Sequence, residues 1–183
     1  IRLSLVGSEM CIRDRTNSGS GFMTVTGVAS YTGLTRSVST GVTFTNNTPP
    51  STSGFDVVGP VVVQPVAGGT FSSAYSANHT YTSTITSLSL GSSSNTADIT
   101  LGSAIAIAGP ITVDGGNLTI NQNLDTTAGN SSSAVLLRGT GAISLAANKS
   151  ITTSGAKVTL WSDRDASNGG NITLLGGTSI TTS

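Results

Sequence analysis

The chain has 183 residues, a formal net charge of zero, 9% charged residues and 36% hydrophobic residues. Its Lys and Arg residues are few and scattered, so no clustered basic surface exists to track nucleic-acid phosphates. No apolar run approaches the ~18 residues of a membrane-spanning helix. A chain this apolar and this neutral also lies outside the composition of disordered segments. Ser, Thr, Gly and Asn supply its polarity. Val, Ile and Thr favour pleated backbone. The composition predicts an all-β protein.

Residues 1–15 (IRLSLVGSEMCIRDR) differ from the rest and hold the only Cys and the only Glu. The apolar run Leu3–Val6 is too short for a signal peptide, and Glu9, Arg13 and Asp14 crowd the position of a cleavage site. The stretch LVGSEMCIRDR (5–15) resembles the conceptual translation of a transposon-end sequencing adapter. That resemblance implies that residues 1–15 are not native and that the authentic chain has no Cys, hence neither disulfides nor thiolate metal sites.

Residues 16–54 read as a β-rich region followed by a Pro/Ser break. TVTGVASYTG (24–33) and VSTGVTFTNN (38–47) predict two short strands, and TPPSTSG (48–54) a linker or long loop. In FDVVGPVVVQPVAGG (55–69), Pro60 and Pro65 restrict the Val run to sheet edges or short pieces. TYTSTITSLSL (80–90) alternates, with Tyr81, Ile85, Leu88 and Leu90 as inward positions and a slip of phase between Ile85 and Leu88.

Residues 55–183 are assigned to a β-solenoid, with the clearest repeats over 91–183. GNLTINQNLDTT (116–127), GAISLAANKSITTS (141–154) and GNITLLGGTSITTS (170–183) align as Gly, small, apolar, Thr/Ser, apolar, a polar turn, apolar and a Thr-rich step. The first apolar pairs are Leu118/Ile120, Ile143/Leu145 and Ile172/Leu174. The next apolar positions are Leu124, Ile151 and Ile180. Val135/Leu137 and Val158/Leu160 mark a further strand per copy, and ADITL (97–101), AIAIA (104–108) and PITV (110–113) form an earlier, degenerate copy. Repeats of this length predict a stack of coils in which one coil cannot bury its own apolar face and its neighbours do so. Ile172 and Leu174 are expected inside, Asn171 and Thr173 outside. The sequence stops where a further strand is expected, which reads as truncation.

SLSLGSSSNTADITL (87–101), AGPITVDGGNLTINQNL (108–124) and GAKVTLWSDRDASNGGNITLLGGTSITTS (155–183) resemble the repetitive regions of filamentous haemagglutinin-like adhesins and related large bacterial surface proteins. The resemblance covers about Leu88 to Ser183. It implies a right-handed parallel β-helix, secretion across the outer membrane, an extracellular or outer-surface location, and a structural or adhesive role. Its implied partners are surface glycans or proteins and the neighbouring coils of a longer chain.

Candidate chemistry is sparse. In WSDRDASNGGN (161–171), Asp163, Asp165, Ser167 and Asn168 offer calcium-type oxygens at near-alternate spacing. Asn168 and Leu174, however, stand where an EF-hand needs Gly and Glu, so a solvated loop is expected. Trp161 is a candidate for stacking on a sugar. Asp98, Asp114 and Asp125, with Arg138, Lys149, Lys157 and Arg164, are the groups a polysaccharide-degrading β-helix could use. No motif pairs them for acid–base work. His79, the only His, lies in a polar segment and is expected in solvent. Its isolation argues against zinc, and no Ser lies in a nucleophile motif. The Thr steps DTT (125–127), ITT (151–153) and ITT (180–182) present one outward Thr file, less than a regular ice-binding array. The reading is therefore a non-enzymatic structural or adhesive segment with no catalytic residue and no cofactor. Its alternative is a carbohydrate-binding or polysaccharide-degrading β-helix protein.

Overall fold

The computed structural model describes residues 12–17, 23–26, 31–37, 41–167 and 169–183. These residues form strands and turns and contain no helix. The first coils use two strands each: β1 (Ile12–Asn17), β2 (Met23–Thr26), β3 (Tyr31–Ser37), β4 (Val42–Thr45), β5 (Gly54–Val57) and β6 (Gly59–Gln64). From β7 (Tyr75–Ser76) a third face appears, followed by β8 (Thr80–Tyr81) and β9 (Ile85–Gly91). Three short strands per coil then recur. They are β10 (Ile99–Leu101), β11 (Ile105–Ala106) and β12 (Ile111–Gly115), then β13 (Leu118–Ile120), β14 (Leu124–Thr126) and β15 (Val135–Gly139). The last are β16 (Ile143–Leu145), β17 (Ser150–Thr153) and β18 (Val158–Trp161), then β19 (Ile172–Leu174) and β20 (Ser179–Thr182).

Every strand pairs in parallel with its counterpart one coil away, so the chain is a parallel β-helix. One face is the seven-stranded sheet β2-β4-β6-β9-β12-β15-β18. The second is β7-β10-β13-β16-β19, and the third is divided between β1-β3-β5-β8 and β11-β14-β17-β20. The pairing of Ile99, Leu118, Ile143 and Ile172 in one file, and of Leu124, Ile151 and Ile180 in another, matches the alignment read from the repeats. Val135 and Leu137 likewise pair with Val158 and Leu160.

The stack also reaches further toward the N-terminus than the visible repeats. Residues 23–45 contain three strands where two were expected, and β2 and β4 continue the same seven-stranded sheet. The backbone of β1, which overlaps the adapter-like stretch, pairs with β3; residues 1–11 lie outside the described residues.

Alternation builds the core. Val42, Val61, Leu88, Ile111 and Val135 form one inward file of the long sheet, and Phe44, Val63, Leu90, Val113 and Leu137 form the next. All are buried. Between them, Thr43, Val62, Ser89, Thr112 and Leu136 face outward and stay partly exposed. Inward Thr residues are reconciled with burial by donating to the turn that follows. Thr126 Oγ1 donates to the Ser133 carbonyl and Thr153 Oγ1 to the Ala156 carbonyl, each at 2.6 Å. The outward file of that face is Asp125–Thr152–Thr181, so no regular Thr row forms.

Two expectations change. Ile172 and Leu174 hold the inward register but are 44% and 48% exposed, because only one neighbouring coil packs on β19. Pro60 lies within β6, between β4 and β9, and not at an edge. It is accommodated because the register shifts there: Gly59 faces Ile85 while Pro60 faces Ser87. Thr86 is the extra residue, so the phase slip seen in the sequence between Ile85 and Leu88 is a β-bulge.

The bulge is packed tightly from the next coil. A Cβ at Gly109 would lie 1.5 Å from the Thr86 carbonyl oxygen, which is backbone and cannot turn aside. Gly109→Ala is therefore expected to destabilise the fold by about 1–3 kcal/mol, whereas the outward Thr112→Ala changes it by less than ~0.5 kcal/mol. Urea unfolding followed by far-UV circular dichroism measures both.

Candidate functional site

Two clusters carry what chemistry the described residues offer. The first lies where the third face begins. In YSANHTY (75–81), Tyr75, Ala77 and His79 are buried while Ser76, Asn78 and Thr80 are exposed. His79 is thus an inward position of an alternating run, 3% exposed and not in solvent as its polar neighbours suggested. The usable signal was the i, i+2 series Tyr75, Ala77, His79, Tyr81.

His79 has two partners. Nδ1 lies 2.6 Å from the Thr52 carbonyl and Nε2 lies 2.8 Å from the Tyr75 hydroxyl. A carbonyl only accepts, so Nδ1 carries the proton and Nε2 accepts from Tyr75. Phe55, Tyr75 and Tyr81 surround the ring, with centroids 5.2, 5.7 and 6.2 Å away. Phe44 meets Phe55 edge-on, and Phe71 packs on Tyr75.

Burial lowers the His79 pKa from 6.5, opposed in part by the Thr52 hydrogen bond. The Tyr75 pKa rises well above 10.0, chiefly by burial and secondarily through Tyr81, and burial raises that of Tyr81 as well. All three groups are neutral at pH 7. Above them runs an open groove of about 380 Å³, walled by Thr48, Pro49, Pro50 and Ser51 on one side and by Ser73, Ala74 and Ser76 on the other. None of its lining residues is charged.

The second cluster sits at the corner after the long sheet. Gly91, Asp114, Arg138 and Trp161 form one outward file across four coils. Asp114 is nevertheless 4% exposed. Arg138 Nη2 donates to its Oδ2 at 2.7 Å, and Arg164 Nη1 stands 3.8 Å from its Oδ1. Arg164 also reaches across the coils to donate to the Ser93 carbonyl. Its own loop is held down by Asp163 N and Arg164 N, which donate to the Gly141 and Gly139 carbonyls. Gly91 is required in this file: its φ is +80°, and a Cβ there would lie 1.9 Å from the Asp114 carbonyl oxygen.

The expected site residues fall as follows. Trp161 ends β18 on the outer face, 50% exposed, in the same file as Arg138. Asp163 Oδ1 accepts from Ser167 Oγ at 3.5 Å and from Gly169 N at 3.4 Å, so it organises its own loop. Asp165 is exposed, and Asn168 lies outside the described residues. No group of three or more His, Cys, Asp or Glu able to hold a metal occurs among the described residues. Asp98 accepts from Asn117 N at 2.7 Å and Asp125 from Thr127 N at 2.8 Å, each bracing a turn. Lys149 donates to Gln122. The Asp114 contact to Arg164 was not legible in spacing, because it depends on the course of the loop after β18.

No family model, curated protein or solved structure matches the chain. Among the described residues no helix is long and apolar enough to cross a membrane.

Two outcomes follow. Asp114→Ala removes the buried carboxylate that faces two guanidinium groups and is expected to cost on the order of 3 kcal/mol. In the Asp114→Ala/Arg138→Met pair the loss is smaller than the sum of the single losses, as a double-mutant cycle in urea would read. His79 has a folded pKa below its unfolded value of 6.5. Its contribution is therefore complete above pH 6.5, falls as pH drops toward the folded value, and is flat below it. His79→Phe should lose about 1–3 kcal/mol at neutral pH and lack that part of the acid slope.

Proposed function

We propose that the chain is a structural and adhesive segment of a large secreted or cell-surface bacterial protein of the filamentous haemagglutinin-like kind. The observation that carries this reading is the parallel ladder of the long sheet, which runs from β2 to β18 with one bulge at Thr86. Such a ladder lengthens in one direction as coils are added, each coil contacting mainly its neighbours. The outer faces are largely Thr, Ser and small residues, and Asp98, Asp125, Asp114 and Arg138 are tied into turns and corners. A shaft of this kind serves as spacer and contact surface in an extracellular setting. Its partners are surface glycans or proteins and the coils of a longer chain.

A second reading, carbohydrate binding, is favoured by one specific observation: Trp161 stands half-exposed on the outer face, in the file that holds Arg138. An exposed indole offers a flat apolar surface to a sugar ring and a donor at its edge.

The test is retention of beads coated with the chain on a glycan and protein array, alongside a polysaccharide turnover assay. The structural and adhesive reading expects retention without turnover, and less than ~2-fold loss in Trp161→Ala, since adhesion is spread over the shaft. Loss of ~10-fold or more in that variant selects the localised sugar site, in line with the cost of removing a central aromatic anchor. Measured turnover contradicts both non-enzymatic readings.

A further inference from the structure

We propose that residues 46–53 form an acid-released cover over the aromatic end of the core, held shut by neutral His79. The segment contains no strand, unlike the elements around it. It is anchored near its ends. The Asn47 carbonyl accepts from Ser72 N at 2.7 Å, and the Ser53 carbonyl accepts from Thr80 N at 3.1 Å. Between these anchors, the Thr52 carbonyl takes the His79 Nδ1 proton at 2.6 Å. The cover also forms the wall of the groove above Tyr75. It therefore lies between solvent and the only His of the chain.

The groups facing His79 determine what protonation does. Phe55 comes from β5, Tyr75 from β7, Tyr81 from β8, and the Thr52 carbonyl from the cover. The titratable ones are Tyr75 and Tyr81, which stay uncharged through the acid range. Asp56 neighbours Phe55 on β5, but strand alternation directs it to the opposite face, in register with Arg36 of β3. Among the described residues no carboxylate is hydrogen-bonded to the ring to balance an imidazolium.

A second proton on His79 makes Nε2 a donor, so the Tyr75 hydroxyl can no longer donate to it and must turn. Attraction to the surrounding ring faces is weaker than the hydration a buried cation forgoes. Water must reach the ring. Tyr75, Phe55 and Tyr81 are on paired strands, so the cover is the element that can yield. Its release widens the groove and bares Tyr75 on β7, the edge strand of its sheet.

Hydrogen exchange of the whole chain, corrected for intrinsic rates and read from about pH 7.5 to about pH 5, tests this. Protection of the 46–53 peptide is expected to fall at least ~10-fold on acidification, while peptides from β12 to β16 keep theirs. His79→Gln, whose amide does not titrate, is expected to show no such loss. Unchanged protection in the wild type across this range overturns the proposal. So does an equal acid loss in His79→Gln.

Discussion

Each inward side chain of an interior coil rests on the same position of the coil before and after it, one hydrogen-bonded rung away. Strands about 4.8 Å apart leave no room for a change of character between rungs. An apolar position is therefore followed at a coil's distance by apolar positions, or by a Thr whose hydroxyl is satisfied locally, as at Thr126 and Thr153. The files Ile99–Leu118–Ile143 and Val61–Leu88–Ile111–Val135 meet that requirement, with every member buried. Where a coil has a neighbour on one side only, as at Ile172 and Leu174, the same residues stand half-exposed. Burial in this fold belongs to the stack and not to any single coil.

The requirement also explains the unusual composition. Backbone groups are paired between coils, and core contacts are apolar. The polar residues mostly close corners: Asn117 Oδ1 accepts from Ala142 N, Asn123 Oδ1 from Ser150 N, and Asn95 Nδ2 donates to the Asp114 carbonyl. Amides and hydroxyls do this without the desolvation cost of ions. Asp114 is the exception. It is a carboxylate on an outward position that two arginines and a returning loop have enclosed. Its Oδ1, together with Nε of Arg138 and of Arg164, lacks a hydrogen bond, so the corner is held by charge more than by complete hydrogen bonding.

The register of the last four coils was legible from sequence because Gly, apolar and Thr positions repeat with small, countable insertions. The bulge at Thr86 was visible as a slip of phase, though not its cause. The coils before residue 55 were less legible. They use two strands each, and their apolar positions are occupied by Val and Phe amid Gly and Thr, so no alignment with the later copies emerges. His79 was misread because a run of Ser, Ala, Asn and Thr looks solvated, whereas alternation places every second residue inside. The Arg164 contact at the charged corner could not be inferred. Asp114 and Arg138 are neighbours through strand register, and Arg164 joins them only because Asp163 N and Arg164 N donate to the Gly141 and Gly139 carbonyls of the coil beneath.

The central claim is that outward positions of the long sheet form a straight, in-register file. Thr43, Val62, Ser89, Thr112, Leu136 and Thr159 are successive members. Spin labels at Thr43 and Thr159 should be separated by five rungs, about 24 Å between backbones, and labels at Thr112 and Thr159 by two rungs, about 10 Å. Distances that rise in this way with rung number, measured by pulsed and continuous-wave electron spin resonance, are the predicted result. A Thr43–Thr159 distance no longer than the Thr112–Thr159 distance would show a folded-back sandwich and contradict the solenoid.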